Sequence, residues 1–102
     1  MRGDPTLWLS VADLELRAST GVFYQVNLEI NERLVAFILE EIRQLQPTRV
    51  LDLFSGIGNF GLPLVKQGIE IVGVEYPGRA IEDYKYTARR YGLSESIDLI
   101  AL

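Results

Sequence analysis

The sequence predicts an α/β fold in which a parallel sheet is built from strands that alternate with helices. Apolar runs of strand length recur in the second half of the chain, at residues 49–54, 69–75 and 97–102. Stretches with helical spacing of apolar residues lie between these runs, and a glycine marks each change from helix to strand. This alternation is typical of parallel sheets with right-handed crossover connections.

Length and composition narrow the classes of function. The 102 residues suffice for one hydrophobic core but are few for a complete α/β enzyme. The net charge of −4 argues against a free-standing nucleic-acid binder, which usually has a basic surface. The chain contains neither cysteine nor histidine, so it offers no disulfide, no thiolate metal site and no histidine general base. No signal peptide or membrane span is predicted, and we expect cytoplasmic residence.

A β-hairpin is predicted in the first quarter of the chain. Residues 7–11 and 14–18 alternate apolar and polar side chains, which gives each strand one buried face. An extended aromatic segment, Phe23-Tyr-Gln-Val-Asn27, follows. The hairpin and this segment together form a predicted unit over residues 7–27.

The clearest helical pattern covers residues 28–46. Apolar side chains at positions 30, 34, 37, 38, 42 and 45 share one face, and charged residues occupy the other. Asn27 is the predicted N-cap, because its side chain can accept a hydrogen bond from the first turn. Pro47 follows the helix and cannot continue it.

Residues 49–102 are predicted to form a strand-helix-strand-helix-strand unit. Its helices are expected at residues 59–67 and 79–91, closed by Gly68 and Gly92 respectively. The chain as a whole, residues 1–102, is therefore predicted to be a single incomplete domain made of a hairpin, a leading helix and half of a sheet.

The first strand of this unit leads into Ser55-Gly-Ile-Gly-Asn59, where we expect the functional site. Gly56 and Gly58 allow positive φ and a close approach of the backbone to a ligand. The start of the next helix offers unpaired N–H groups and the positive end of a dipole to an anion. Ligands of parallel α/β sheets bind at this carboxyl end of the strands.

The glycine spacing alone leaves the ligand open. Gly56-x-Gly58-x-x-Gly61 formally satisfies the dinucleotide-binding fingerprint. Glu75 ends the second strand about 20 residues later, where a ribose-binding acid is expected. A carboxylate there can accept two hydrogen bonds from vicinal hydroxyls, although a strand-end acid can also be a plain surface residue.

The residues before the first glycine favour a different ligand. In a nicotinamide-type turn the apolar strand runs directly into the first glycine. Here the end of the strand and the first glycine are separated by polar and aromatic residues, namely Asp52, Phe54 and Ser55. An acid at this position suits a ligand with an ammonium or sulfonium group, because opposite charges stabilise each other. We therefore rank S-adenosylmethionine above a dinucleotide, although Asp52 can also cap the turn locally.

Three segments together resemble one enzyme family. The stretch Asp52-Leu-Phe-Ser-Gly-Ile-Gly-Asn-Phe-Gly-Leu-Pro-Leu64 resembles the S-adenosylmethionine-binding motif of the RNA uracil-C5 methyltransferases, which make 5-methyluridine in transfer and ribosomal RNA. The segment 23–27 matches that family's Phe-x-Gln-Val-Asn, and Val72-Gly-Val-Glu75 matches its second-strand motif. The resemblance covers essentially the whole chain, but only the middle of a family member.

The resemblance implies a partial class-I, Rossmann-like S-adenosylmethionine-dependent methyltransferase fold, represented by its first three parallel strands. It implies that Gln25 contacts the cofactor, that Glu75 holds the ribose hydroxyls, and that Asp52 and the turn cradle the methionine part. The predicted cofactor-binding residues are Gln25, Asp52, Phe54, Ser55, Gly56, Gly58, Asn59 and Glu75.

The same resemblance assigns no catalytic residue. In the family a cysteine attacks uracil C6, the methyl group goes to C5 and a base removes the C5 proton. This chain has no cysteine, so it is expected to be catalytically incomplete alone and to reach RNA only through other regions or a partner chain. It also departs from the family pattern at Thr87 and Tyr91, where asparagine is usual, and at Gly61, where threonine is more frequent.

Two further expectations concern partners and alternatives. In this fold the first strand lies at the centre of the sheet, so its outer edge would be unpaired when the later strands are missing. Bare hydrophobic edges invite pairing, and we expect a homodimer, a swapped assembly or a partner chain to cover this one.

A dinucleotide-binding half-domain and a non-catalytic relic or interaction module remain alternative hypotheses for the function of the chain.

Overall fold

The computed structural model describes residues 6–19 and 27–102. Residues 23–26, with the predicted cofactor contact Gln25, lie outside the described residues. The elements are β1 (Thr6–Val11), β2 (Leu14–Ser19), α1 (Leu28–Leu45), β3 (Arg49–Leu53), α2 (Gly61–Lys66), β4 (Glu70–Glu75), α3 (Arg79–Arg90), a 3-10 turn (Ser94–Ser96) and β5 (Ile97–Ala101).

The first two strands form the predicted antiparallel hairpin. Its closing pair is Val11 with Leu14, joined by a two-residue turn at Ala12 and Asp13. Both turn residues have positive φ, 48° and 64°, as the twist of a tight hairpin requires. The inward side chains form much of the main core, namely Leu9, Val11, Leu14, Leu16 and Ala18.

The outer edge of β2 is covered by α3 through side-chain acceptors. Asp83 accepts a hydrogen bond from the backbone N–H of Ser19 at 2.8 Å. Thr87 accepts from the N–H of Arg17 at 3.0 Å. The hydroxyl of Tyr91 accepts from the N–H of Glu15 at 2.9 Å. Acceptors four residues apart on the helix thus meet alternate N–H groups of the strand, and two of them, Thr87 and Tyr91, are residues that depart from the family pattern.

Helix α1 begins as predicted, since the Asn27 side chain accepts a hydrogen bond from the N–H of Ile30 at 3.0 Å. The prediction for its buried face is partly wrong. Asn31 and Val35 are the buried positions, whereas Ile30, Leu34 and Phe37 are exposed. The reason is that α1 carries apolar side chains on more than one side, and contacts with β1 and α2 select which side is buried.

The three later strands form a parallel sheet in the order β3-β4-β5, which places β3 at an edge. One face carries Val50, Ile71 and Ile97 into a second core cluster. The opposite face is open, because Leu51 and Leu53 remain 62% and 58% exposed. Within the described residues, β3 pairs with β4 alone, so its outer edge is unpaired.

Helix α2 is shorter than predicted, with six residues instead of the expected span 59–67. The preceding residues are held in turns, because Gly58 has φ 94° and its N–H donates to the carbonyl of Ser55 at 3.1 Å. Gly68, with φ 93°, ends the segment as expected. None of the helices in the described ranges is long and apolar enough to cross a membrane.

Candidate functional site

The predicted site lies at the carboxyl ends of β3 and β4. The chain leaves β3 through a turn whose alternate residues Phe54, Gly56 and Gly58 have positive φ, at 56°, 60° and 94°. For the non-glycine residue Phe54 this conformation costs about 1–2 kcal/mol. The backbone therefore reverses sharply above the strand ends, which is the shape that the glycine spacing predicted.

Ser55 fixes this turn to the sheet. Its N–H donates to the carbonyl of Val74 at 3.0 Å, and its hydroxyl donates to the carbonyl of Asp52 at 2.8 Å. A Cβ on Gly73 would lie 2.6 Å from the Ser55 hydroxyl oxygen. Glycine at position 73 is thus what allows the turn to lie directly against β4.

Glu75 and the turn are in direct contact. The N–H of Gly56 donates to Oε1 of Glu75 at 2.8 Å. The N–H of Gly58 is also paired, with the carbonyl of Ser55. The N–H groups of both glycines are therefore engaged within the site itself, whereas the expectation of unpaired N–H groups concerned the start of the following helix. The predicted role of Gly56 and Gly58 at a ligand therefore depends on how closely their backbone lets the ligand approach.

Asn59 connects the turn to α1. Its Nδ2 donates to Oδ1 of Asn31 at 2.7 Å, and Nδ2 of Asn31 donates back to Asn59 at 3.0 Å. Asn31 is buried, so this reciprocal amide pair fixes the distance between the helix and the turn. The pattern of α1 gave no signal for this contact, because an asparagine followed by Glu32 and Arg33 looks solvent-facing.

Asp52 lies near Glu75 at the carboxyl end of the sheet. It pairs in register with Gly73, two residues before Glu75 on the neighbouring strand, so both carboxylates are on the same face. Burial, and secondarily the charge of Glu75, raises the pKa of Asp52. Its Oδ2 is buried and has no hydrogen-bond partner among the described residues. A cationic group bound here would stabilise the ionised form.

Two aromatic side chains border the same end of the sheet. Phe54 is 70% exposed, and its ring centroid lies 6.5 Å from that of Tyr76, which follows Glu75. Aromatic pairs of this kind provide a large apolar surface with a polar hydroxyl at one end. The geometry offers carboxylates for cationic and hydroxyl groups, with an apolar border beside them.

Sequence reasoning missed Tyr84, which reaches the turn from α3. This side chain is fully buried in the main core. A Cβ on Gly61 would lie 2.1 Å from its hydroxyl oxygen, and one on Gly58 would lie 3.1 Å from its ring. The glycine at position 61, where the resemblance led us to expect threonine more often, leaves the space that this hydroxyl occupies.

Comparison with known protein families gives a match along most of the chain. The sequence model of the tRNA (uracil-5-)-methyltransferases matches residues 4–95. A 23S rRNA (uracil(1939)-C(5))-methyltransferase RlmD from Shewanella halifaxensis is 42% identical over 82 residues, which are 80% of this chain and 18% of that protein. The homologue from Aeromonas hydrophila is 40% identical over 85% of this chain and 20% of its own length. The chain spans about a fifth of these relatives.

Two of the solved structures that superpose on this chain are methyltransferases. A tRNA (uracil-54, C5)-methyltransferase from Pyrococcus abyssi, in complex with S-adenosyl-L-homocysteine, superposes with a TM-score of 0.77 at 22% identity, covering 99% of this chain and 24% of that one. A SAM-dependent methyltransferase from Agrobacterium tumefaciens gives 0.75 at 24% identity, over 98% of this chain and 33% of that one. The predicted partial methyltransferase fold is confirmed.

Proposed function

Because the chain belongs to the tRNA (uracil-5-)-methyltransferase family, we propose that it is the S-adenosylmethionine-binding part of an enzyme that methylates uridine C5 in transfer or ribosomal RNA. The observation that carries this proposal is the convergence of Asp52 and Glu75 on one glycine turn. The names of the relatives, which are uracil-C5 methyltransferases of ribosomal RNA, support the substrate class.

The residues at the turn suit the groups of S-adenosylmethionine. Asp52 presents a half-buried carboxylate, and a cation beside it would offset the cost of burying its charge. Glu75 uses one oxygen for Gly56, and its carboxylate can accept further bonds from ribose hydroxyls. When bound, the cofactor supplies an electrophilic methyl group, and the proposed role of this chain is to bind and orient it.

The calorimetric test uses S-adenosylmethionine, S-adenosylhomocysteine and a nicotinamide dinucleotide. We expect saturable binding of the first two. Glu75→Gln is the informative variant, because its amide oxygen can still accept from Gly56 while the charge is lost. We expect at least tenfold weaker binding, with Glu41→Gln on the exposed side of α1 as the control.

The other outcomes separate the alternative functions. Binding of the dinucleotide alone would contradict the proposal and favour a dehydrogenase-type half-domain. Absence of binding to any of the three would favour a non-catalytic module. Methyl transfer to RNA by the isolated chain would contradict the expectation that it is catalytically incomplete.

We also propose that a second copy of the chain pairs with the free edge of β3. This proposal is supported by the unpaired edge together with the exposed side chains of Leu51 and Leu53 on the adjoining face. Sedimentation equilibrium should give a dimer, and Leu51→Glu with Leu53→Glu should shift it to a monomer without unfolding. A monodisperse wild-type monomer would contradict the proposal.

A further inference from the structure

Tyr84 crosses the core from α3 to the underside of the glycine turn. Its ring lies against Gly58, and its hydroxyl lies beside Gly61, where a Cβ would be only 2.1 Å away. The residue has no solvent exposure. A hydroxyl at the end of a fully buried ring normally has a hydrogen-bond partner. This one has none among the described residues.

A second buried oxygen without a hydrogen-bond partner among the described residues, Oδ2 of Asp52, lies near the Tyr84 hydroxyl, on the side of Gly61 where a Cβ would point. Oδ2 of Asp52 would be 3.5 Å from a Cβ on Gly61, so both oxygens lie close to that one point. An ionised carboxylate can only accept hydrogen bonds, whereas a phenol can donate one. The two unpaired groups are therefore complementary, and leaving both unpaired in the interior is unfavourable.

We propose that Tyr84 is a positioning residue for Asp52, donating its phenolic hydrogen to Oδ2 and so orienting the carboxylate towards a bound cation. The final torsion of an aspartate side chain is soft, so a small rotation of the carboxyl group can complete the bond. With Oδ2 held by Tyr84, Oδ1 stays available for the ligand. The identity of that cation, the ammonium or sulfonium of S-adenosylmethionine, rests on the proposed function.

The charges around the two groups are consistent with this arrangement. Burial, and then the charge of Asp52, raises the pKa of Tyr84, which keeps the phenol protonated and able to donate. Burial and the charge of Glu75 raise the pKa of Asp52, and a hydrogen bond to the ionised carboxylate would act in the opposite direction. Among the described residues, the charge of Glu75 thus acts on Asp52, and the charge of Asp52 acts on Tyr84.

The first test measures the carboxyl group without any ligand. Asp52 is titrated by carboxyl-carbon NMR in the wild-type chain, in Tyr84→Phe and in the control Tyr86→Phe. Tyr86 lies on the same helix, and its ring centroid is 6.1 Å from that of Trp8 on the hairpin. We expect the midpoint of Asp52 to rise in Tyr84→Phe and to stay unchanged in the control. Equal midpoints in all three proteins would overturn the proposal.

The second test measures binding of S-adenosylmethionine across pH. The loss of one hydrogen bond to a charged group should weaken binding by Tyr84→Phe roughly tenfold, and binding should decline at a higher pH on acidification than in wild type. Tyr86→Phe should behave as wild type. Wild-type affinity and pH profile in Tyr84→Phe would refute the positioning role. If wild type binds no S-adenosylmethionine, the proposed function fails, and the NMR titration still decides whether Tyr84 acts on Asp52.

Discussion

Gly61→Ala offers the sharpest test of the packing beneath the turn. In the wild-type chain the new methyl group would lie 2.1 Å from the Tyr84 hydroxyl oxygen, which no rotation of a buried ring can relieve easily. Overpacking of this kind costs about 1–3 kcal/mol, and alanine recovers about 0.5–1 kcal/mol over glycine within a helix. We therefore expect a net loss of roughly 1–2 kcal/mol in the free energy of unfolding.

The same substitution should be harmless once the hydroxyl is removed. In Tyr84→Phe the nearest atom to the new methyl is the ring Cζ at 3.3 Å, which requires a shift of only a few tenths of an ångström. Gly61→Ala should then be neutral or slightly stabilising. The coupling between the two positions is expected to be about 1–3 kcal/mol, with the double variant more stable than additivity predicts.

Urea unfolding at pH 7, followed by circular dichroism, measures all four proteins of this cycle. Gly61→Ala in a Tyr86→Phe background is the control, and it should keep the full loss seen in wild type. A coupling below about 0.5 kcal/mol would refute the reasoning, because it would mean that the hydroxyl does not occupy the space beside Gly61. An unchanged m value would show that the unfolded states remain comparable.

Three further predictions test other contacts. Asp52→Asn should raise the urea midpoint of unfolding at pH 7 but not at pH 3. Because the pKa of Asp52 is raised in the folded state, ionisation of this carboxyl lowers the stability as the pH rises above its pKa in the unfolded chain. At pH 3 the carboxyl is protonated in both states, so the substitution has no charge to remove. Gly73→Ala should cost about 1–3 kcal/mol in urea unfolding, since its methyl would lie 2.6 Å from the Ser55 hydroxyl oxygen, and Ser55→Ala should restore part of it. Thr87→Val should cost about 1–3 kcal/mol by leaving the Arg17 N–H unpaired, and equal stability would contradict that bond.

The features that the sequence predicted well are local. Alternation located the hairpin, helical spacing located α1, and Asn27 capped that helix as expected. The positive φ values at Gly56 and Gly58 follow from a backbone requirement that glycine meets at no steric cost. Such features depend on a few neighbouring residues, so a single sequence is enough to find them.

The features that the sequence pattern did not predict depend on contacts between residues far apart in the chain. Asp83 belongs to a charge-rich stretch that looks solvated, yet it is fully buried, and hydrogen bonds from Ser19, 64 positions earlier, satisfy its carboxylate. Asn31 pairs with Asn59 across 28 positions, and Tyr84 meets Gly61 across a similar gap. No local periodicity marks these partners, because only the packing of α1 and α3 against the turn and the hairpin brings them together.

The row of acceptors along α3 also limits the length of the hairpin beside it. Four residues of a helix advance about 6.0 Å, whereas two residues of a strand advance about 6.8 Å. Each step along the row therefore adds a mismatch of about 0.8 Å, which side chains of different reach, Asp83, Thr87 and Tyr91, can absorb over three contacts. A fourth contact would have to bridge about 2.4 Å of accumulated offset. Three acceptors at four-residue spacing on α3 therefore match three alternate N–H groups of β2, those of Glu15, Arg17 and Ser19.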